Sequence, residues 1–308
     1  ELMPVGLGHH VVEDPDLAHE IYNQSDEASI QALAEAGAIV LQAHTEGKPM
    51  EDLQERVGWG MSGIEIFNLH AMFDPTKREE DLGLDPYQWS TDIAPFTAPD
   101  GTAEPDLLFL AVHQEQTPSI QKWDALQSQG PVFGVAGTDA HQNVLPYELR
   151  DGERLDSYRR MLRWFSNVLL TEGIEPHDYD EALSAGRGYV AFEILGTPVG
   201  FDLVLRDADD RFHEMGATAP TGTLEVTCPE LSADSPRGEL VPEWSVTIFH
   251  DGEPWQEGCG SFEITEAGTY RVRVDIVPWH LTDFLGEDPD AWLHSYPWIY
   301  SNPIHVEF

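Results

Sequence analysis

The fold is decided by one stretch of the sequence, Pro131-Val-Phe-Gly-Val-Ala-Gly-Thr-Asp-Ala-His141. Its apolar residues 132–136 predict a short buried strand, and the flanking glycines favour a tight turn at its end. Asp139 and His141 are two residues apart, so in an extended segment their side chains point to the same side. A carboxylate and an imidazole at the carboxyl end of a strand suit a zinc, manganese or iron ion. The alternative is that Asp139 caps a following helix and His141 lies on the surface.

Two earlier strands are predicted to end in polar residues in the same way. Residues 38–43 form an apolar run that stops at His44, and residues 63–67 form another that is followed by Asn68 and His70. Strands and helices alternate along this part of the chain, which favours parallel βαβ units. Because α/β proteins build their sites at the carboxyl ends of strands, a site is expected there.

The pattern of apolar residues changes along the chain and predicts two domains. Helices are predicted at about residues 25–36 (with Ser25 as N-cap), 49–57, 104–115, 118–129, 154–165 and 177–185, around an irregular stretch at 71–103. Strand-like segments follow at 200–206, 222–228, 244–250, 260–265 and 269–277. We therefore predict an α/β domain over residues 1–195 and an all-β sandwich over residues 196–308.

The net charge of the 308-residue chain is −40, from 56 acidic and 16 basic residues, of which Lys48, Lys77 and Lys122 are the lysines. This charge repels phosphate backbones, so a nucleic-acid partner is not expected. The acidic residues are spread along the chain, as on the solvated surfaces of proteins from salty habitats. No run of 18 apolar residues occurs, so we expect no membrane-spanning helix.

The two cysteines, Cys228 and Cys259, both fall in the predicted sandwich. The pair has two equally supported alternatives: a disulfide across the sandwich, or two free buried thiols. A disulfide would favour a periplasmic or secreted protein over a cytoplasmic one. The chain opens at Glu1 rather than at a methionine, so we expect a mature or truncated form.

Several of these segments resemble motifs of the PHP (polymerase and histidinol phosphatase) superfamily of metal-dependent hydrolases. They are Val40-Leu-Gln-Ala-His44, Gly63-Ile-Glu-Ile-Phe-Asn68 and Gly137-Thr-Asp-Ala-His141. The segments Gly186-Arg-Gly-Tyr-Val and Pro297-Trp-Ile-Tyr-Ser-Asn-Pro-Ile resemble members with a C-terminal β-domain, including the carbaryl-hydrolase-like branch. The resemblance implies a distorted (β/α)7 barrel, of which the second half is visible here, followed by the all-β sandwich domain.

The resemblance also implies a set of metal ligands for two or three divalent ions, zinc, manganese or iron. Asp139 and His141 match the last ligand pair of the family, and His44 matches a ligand on a middle strand. One of His9 and His10 matches the histidine of a Gly-His motif. Glu1 matches the glutamate ligand that precedes that motif.

The chain departs from the family in its first motifs. The His-x-His motif of the first strand and the Thr-Asp-His-like motif of the second do not occur in this sequence. Half a barrel would leave strand edges unpaired, which is costly. We expect that an N-terminal portion is missing, that a separate chain supplies it, or that the domain has lost its first metal ligands.

The function that these residues predict is metal-dependent hydrolysis, with Asp139 and His141 as catalytic residues and a phosphoester as substrate. Asn68, His70 and Arg187 are predicted to contact a small anionic or ester substrate. Arg187 has a surface ion pair as its alternative role. The alternatives for the protein are a carboxylic ester, amide or carbamate hydrolase and a non-catalytic binding protein with a degenerate metal site.

Overall fold

The computed structural model of the protein describes residues 2–142 and 146–308, apart from the side chains of residues 19–21. The strands are β1 (Leu2–Val5), β2 (Ile39–Gln42), β3 (Gly63–Asn68), β4 (Phe133–Gly137), β5 (Ser166–Leu169), β6 (Gly188–Ala191), β7 (Pro198–Val199), β8 (Asp202–Asp207), β9 (Phe212–Glu214), β10 (Thr218–Pro220), β11 (Gly222–Thr227), β12 (Glu230–Leu231), β13 (Glu243–His250), β14 (Glu253–Glu257), β15 (Gly260–Ile264), β16 (Gly268–Val277), β17 (Tyr296–Ser301) and β18 (Ile304–Glu307).

The helices alternate with the first strands and are nearly absent from the later part. They are α1 (Ala18–Asn23), α2 (Glu27–Glu35), α3 (Met50–Trp59), α4 (Gln88–Asp92), α5 (Ala94–Thr97), α6 (Thr117–Leu126), α7 (Tyr158–Leu162) and α8 (Pro176–Ser184). Short 3-10 helices lie at Pro15–Leu17, His70–Met72, Pro105–Ala111, Gln127–Gln129, Glu193–Leu195, Trp279–Phe284 and Pro289–Ala291, and a π-helical turn lies at Lys77–Asp81. None of the described helices has the length and apolar character needed to cross a lipid bilayer.

The first sheet has the order β1-β2-β3-β4, and it confirms the predicted parallel arrangement. The pairs β2–β3 and β3–β4 are parallel, whereas β1 runs antiparallel to β2. Every residue of β2 and β3 is buried, as expected for a sheet that is covered on both faces. The carboxyl ends of β2, β3 and β4 therefore meet at one edge, which is where the predicted site lies.

The expected (β/α)7 barrel is not what the described strands form. Across residues 2–142 and 146–308 the sheets stay open and no barrel closes. The outer edge of β4 is hydrogen-bonded by side chains instead of by a fifth parallel strand. The amide of Asn167 bonds both to Ala136 N (2.8 Å) and to Ala136 O (3.0 Å), and Asn302 Oδ1 accepts from Gly134 N (2.7 Å). These bonds satisfy backbone groups that a further strand would otherwise need to pair.

The later part of the chain is rich in strands, as predicted, and its sheets extend past the predicted border. A large sheet has the order β10-β18-β16-β17-β6-β5, with β13 and β14 added alongside β16, and a second sheet has the order β15-β11-β8-β9. Alternate residues of β8 and β11, such as Leu203 and Leu224, share one buried core with Val272 and Ile299 of the large sheet. Because β6 pairs with β17, the large sheet crosses the predicted border at 195/196.

Three helices differ from the sequence prediction, two of them for local reasons. The helix expected from Ser25 begins at Glu27, because the Asp26 side chain is the group that accepts from Ser29 N. The helix expected at 104–115 is a 3-10 helix, Pro105–Ala111. The helix expected at 154–165 is reduced to α7, because Arg154 is held by Asp156 and by a β-bridge to Glu148.

The two cysteines form a disulfide, and it lies within one sheet. Cys228 directly follows β11 and Cys259 directly precedes β15, and these strands are antiparallel neighbours. Their Cα atoms are 5.5 Å apart. The disulfide was one of the two alternatives predicted from the sequence. It links the ends of adjacent strands, however, and does not cross between two sheets.

A buried ion pair fastens α6 to the large sheet. Asp124 on α6 accepts two hydrogen bonds from Arg271 on β16, at 2.6 and 2.7 Å, and both side chains are largely buried. The guanidinium of Arg271 also lies 4.2 Å from the ring centre of Phe249 and 5.3 Å from that of Trp123. This geometry leaves Arg271 dependent on Asp124 for its charge compensation.

We expect Asp124→Ala to destabilise the protein by about 3–5 kcal/mol, because it leaves a buried guanidinium unpaired. Chemical denaturation measures the free energy of unfolding. Asp209→Ala is the matched control, since Asp209 pairs with Arg211 at 3.6 Å on the surface, and its loss should cost less than about 1 kcal/mol. Equal losses for the two variants would show that the buried pair does not hold the two parts together.

His113 is buried among aromatic rings and donates its Nε2–H to Pro297 O at 2.7 Å. Its ring centre is 4.1 Å from that of Phe192 and 4.7 Å from that of Phe109. Burial lowers the pKa of His113 from 6.5 to about 4, because the charged ring would lose its hydration. The contacts make His113 a structural residue of the aromatic core.

The lowered pKa of His113 predicts a loss of stability in acid. The unfolded chain binds a proton near pH 6.5 and the folded chain only near pH 4, so stability is full above pH 6.5 and falls as the pH drops to 4. The shift corresponds to about 3 kcal/mol. His113→Phe cannot titrate, so the difference in unfolding free energy between wild type and variant should change by this amount across the window. A constant difference from pH 7.5 to pH 4 would contradict the assignment.

Candidate functional site

Four side chains predicted from the sequence meet at the carboxyl edge of the parallel sheet. His44 lies two residues beyond β2, His70 begins the 3-10 helix after β3, and Asp139 and His141 follow β4. The Asp139 carboxylate lies among the three rings. Its Oδ2 is 2.8 Å from His70 Nδ1 and 3.8 Å from His44 Nε2, and its Oδ1 is 2.9 Å from His141 Nε2. His70, which the sequence placed in a substrate-contacting role, is thus a direct partner of Asp139.

His70, Asp139 and His141 form a group that could hold a metal ion. One candidate ligand atom from each lies within 4.8 Å of the others. Their side chains are 34%, 25% and 43% exposed, so the group is open to solvent on one side. Two imidazoles and one carboxylate suit zinc, iron or manganese. The donor set therefore fits one divalent ion; the expected second and third ions would need further ligands.

Two of the site residues have backbone angles that are uncommon for residues other than glycine. His44 has a φ of 54° and Asp139 has a φ of 47°, both in the left-handed region. Such conformations cost free energy and persist where the surroundings impose them, most often at functional sites. At His44 the imposing bond is from its own backbone N to Glu65 Oε2, at 2.8 Å.

Glu65 supports the site from below, and the sequence analysis did not single it out. It lies on β3, is almost fully buried, and its Oε2 accepts from His44 N and from Asn68 Nδ2, each at 2.8 Å. Burial raises the pKa of Glu65 to about 7, although these two hydrogen bonds act in the opposite direction. A Cβ atom at Gly137 would lie 1.9 Å from Glu65 Oε1, so the glycine leaves room for this carboxyl group. The sequence feature that could have identified Glu65 is that a glutamate occurs inside an otherwise apolar strand.

Asn68 is held more firmly than a substrate-contacting residue needs to be. Gln116 bonds to both backbone atoms of Asn68, accepting from its N at 3.0 Å and donating to its O at 2.6 Å. The Asn68 side chain is buried and bonds to His44, Glu65 and Ala71. Asn68 therefore orients its neighbours, and Gln116, another residue that sequence reasoning missed, fixes Asn68.

A small pocket of about 30 Å³ opens beside the three-residue group. This volume is enough for one or two water molecules. Most of its wall is apolar, and Asp139 and the two histidines lie at one side. The lining residues are His70, Phe73, Asp139, His141, Gln142, Leu155, Asp156, Met161 and Trp164.

The remaining predicted site residues are not part of this group. His9 and His10 are exposed in the segment after β1, and His10 Nδ1 lies 3.2 Å from Tyr22 Oη. Among the described residues, neither of them belongs to a set of close ligand atoms. Glu1 lies outside the described residues. Arg187, at the start of β6, pairs with Glu181 at 3.1 Å, which is the ion-pair role considered as its alternative.

A second acidic group is compensated by arginines. Asp106, Asp151 and Glu153 also place ligand atoms within 4.8 Å of one another. Asp106 accepts two hydrogen bonds from Arg159 and one from Arg163, all at 2.9 Å, and also bonds to Arg160. Because guanidinium groups already neutralise these carboxylates, we regard the group as an ion-pair network.

Comparison with known proteins identifies no relative. The chain matches no protein-family model, no curated protein and no solved structure. The resemblance to the PHP superfamily therefore stays a prediction that rests on the quoted motifs, and the function is inferred from the site geometry.

The geometry predicts that the protein binds a divalent transition ion through His70, Asp139 and His141. We expect Asp139→Ala and His70→Ala each to weaken Zn²⁺ or Co²⁺ binding at least tenfold, measured by calorimetric titration of chelator-treated protein. Asp151→Ala, from the second acidic group, is the control and should leave the affinity unchanged. If Asp151→Ala weakens binding as much as Asp139→Ala does, the ion does not bind specifically at His70, Asp139 and His141, and the assignment is wrong.

Proposed function

We propose that this chain is a metal-dependent hydrolase with its metal centre at His70, Asp139 and His141. Phosphoesters are the first candidate class of substrate. The observation that carries the proposal is the Asp139 carboxylate, bonded at 2.8 and 2.9 Å to two imidazoles on the open edge of a parallel sheet. Sites of α/β proteins lie at this edge. The strained backbone at His44 and Asp139 is a second support.

Each residue has a distinct task in this proposal. His70, Asp139 and His141 would hold the ion, which would supply a water molecule of lowered pKa and a positive charge for the reacting oxygen. Asp139 accepts hydrogen bonds through both oxygens, so it orients the two rings before an ion binds. Glu65 and Asn68 keep His44 beside Asp139.

The pocket supports a second substrate class, carboxylic esters or carbamates. The pocket holds only one or two water molecules, but its apolar side chains Phe73, Leu155, Met161 and Trp164 would contact an uncharged substrate group more favourably than a phosphate. The net charge of −40 also disfavours the approach of anions from solution. A small ester or anionic molecule, and not a nucleic acid, is the proposed partner in both cases.

The disulfide supports a proposed location outside the reducing cytosol. Bonds such as Cys228–Cys259 persist in oxidising compartments, so we propose a periplasmic or secreted protein.

The test is hydrolysis of 4-nitrophenyl phosphate and of 4-nitrophenyl acetate in the presence of Mn²⁺ or Zn²⁺. We expect metal-dependent release of nitrophenol from at least one of them, and a decrease of at least a hundredfold in His141→Ala and Asp139→Asn, because each removes a group at the reacting centre.

His177→Ala is the control for the histidine variant, because His177 is exposed on α8, and it should keep full activity. Hydrolysis of the phosphate assigns a phosphoesterase, and hydrolysis of the acetate alone assigns an esterase. If wild type and both site variants are equally inactive while Zn²⁺ still binds, the chain is a metal-binding protein without this catalysis.

A further inference from the structure

The side-chain amide of Asn68 can adopt only one orientation in this structure. Its Oδ1 accepts from Ala71 N at 2.9 Å, and its Nδ2 donates to Glu65 Oε2 at 2.8 Å. If the amide were rotated by 180°, its Nδ2 would face the donor Ala71 N and its Oδ1 would face the acceptor Glu65 Oε2. The orientation therefore follows from two partners of opposite character, one on each side.

This orientation determines which nitrogen of His44 carries the proton. The second hydrogen of Asn68 Nδ2 points to His44 Nδ1 at 3.0 Å. Because the amide nitrogen can only donate, His44 Nδ1 must accept, and the ring proton lies on Nε2. His44 Nε2 is the atom that faces Asp139 Oδ2, at 3.8 Å.

We propose that His44 is a hydrogen-bond donor to the reacting oxygen and not a metal ligand, with Asn68 as the residue that positions it. A metal ligand must present a lone pair, whereas Nε2 of this tautomer presents N–H. Two groups face Nδ1: the Asn68 amide donor at 3.0 Å and the Glu46 carboxylate, whose Oε1 lies at 4.0 Å. Because only the amide is within hydrogen-bond distance, the proton is held on Nε2. This inference deepens the proposed function and reverses the ligand role that the sequence resemblance implies for His44.

The contribution to catalysis is electrostatic. An N–H group held beside Asp139 stabilises negative charge that develops on a substrate oxygen, in the manner of an oxyanion hole. The buried network behind the ring, formed by Asn68, Glu65 and Gln116, holds the donor in place before substrate binds.

The first test reads the tautomer directly and needs no substrate. Long-range ¹H–¹⁵N spectra of the wild-type chain distinguish Nε2–H from Nδ1–H, and the His44→Gln variant identifies the signals of His44. We expect the Nε2–H pattern, unchanged when one equivalent of Zn²⁺ is added. An Nδ1–H pattern, or a shift of His44 Nε2 to the range of a zinc-bound nitrogen, overturns the proposal.

The second test separates binding from catalysis. We expect His44→Gln to bind Zn²⁺ within about twofold of wild type, while kcat on the substrate found active falls by roughly 10²–10³ with little change in KM. His70→Gln is the matched variant and should lose at least tenfold in Zn²⁺ affinity. A tenfold loss of Zn²⁺ affinity in His44→Gln makes His44 a ligand and refutes the proposal.

The third test reverses the tautomer through its positioning residue. Asn68→Asp replaces the donor at His44 Nδ1 by an acceptor, so the proton should move to Nδ1 and leave a lone pair on Nε2. Zn²⁺ affinity should then rise while kcat falls. Retention of the Nε2–H pattern in this variant would show that Asn68 does not control the ring. If wild type proves inactive on every substrate, the proposed hydrolysis fails, but the spectra and the Zn²⁺ affinities still decide the role of His44.

Discussion

The parallel pairing of β2, β3 and β4 is the constraint on which the site depends. Each strand is short and buried, and each ends at the same edge of the sheet, so residues far apart in sequence meet there. The turn after β2 brings His44 to the edge, and the turn after β4 brings Asp139. Both residues adopt left-handed backbone angles at that point, and at His44 the bond from its backbone N to Glu65 Oε2 holds that conformation.

Buried polar side chains beneath the site hold its residues in position. Their burial costs desolvation free energy, which their hydrogen bonds must offset. Glu65, Asn68 and Gln116 are buried, and an unpaired polar group is unfavourable there. Glu65 Oε2 and the polar atoms of Asn68 and Gln116 have partners here, so the network is rigid. The raised pKa of Glu65 records how strongly burial acts even with these bonds present.

The sequence was sufficient to predict the site residues that follow the strands. It was not sufficient to predict the residues whose roles depend on tertiary contacts. Asp139, His141 and His44 could be predicted because each directly follows an apolar strand. Glu65 and Gln116 could not be assigned roles, because their partners are set by packing between elements 20 to 50 residues apart. The barrel expectation differed from the structure for a similar reason: Asn167 and Asn302 end the sheet at β4 through side-chain bonds that no periodicity encodes.

The disulfide has a consequence for what happens when the chain is cut. Cys228 and Cys259 enclose a segment whose stretch between β12 and β13 carries the exposed residues Leu240 and Val241. A protease that cleaves in this stretch would leave two fragments joined through sulfur. Strands β13 to β18 would then remain tethered to β11, so the two fragments would separate under denaturing conditions only after the disulfide is reduced.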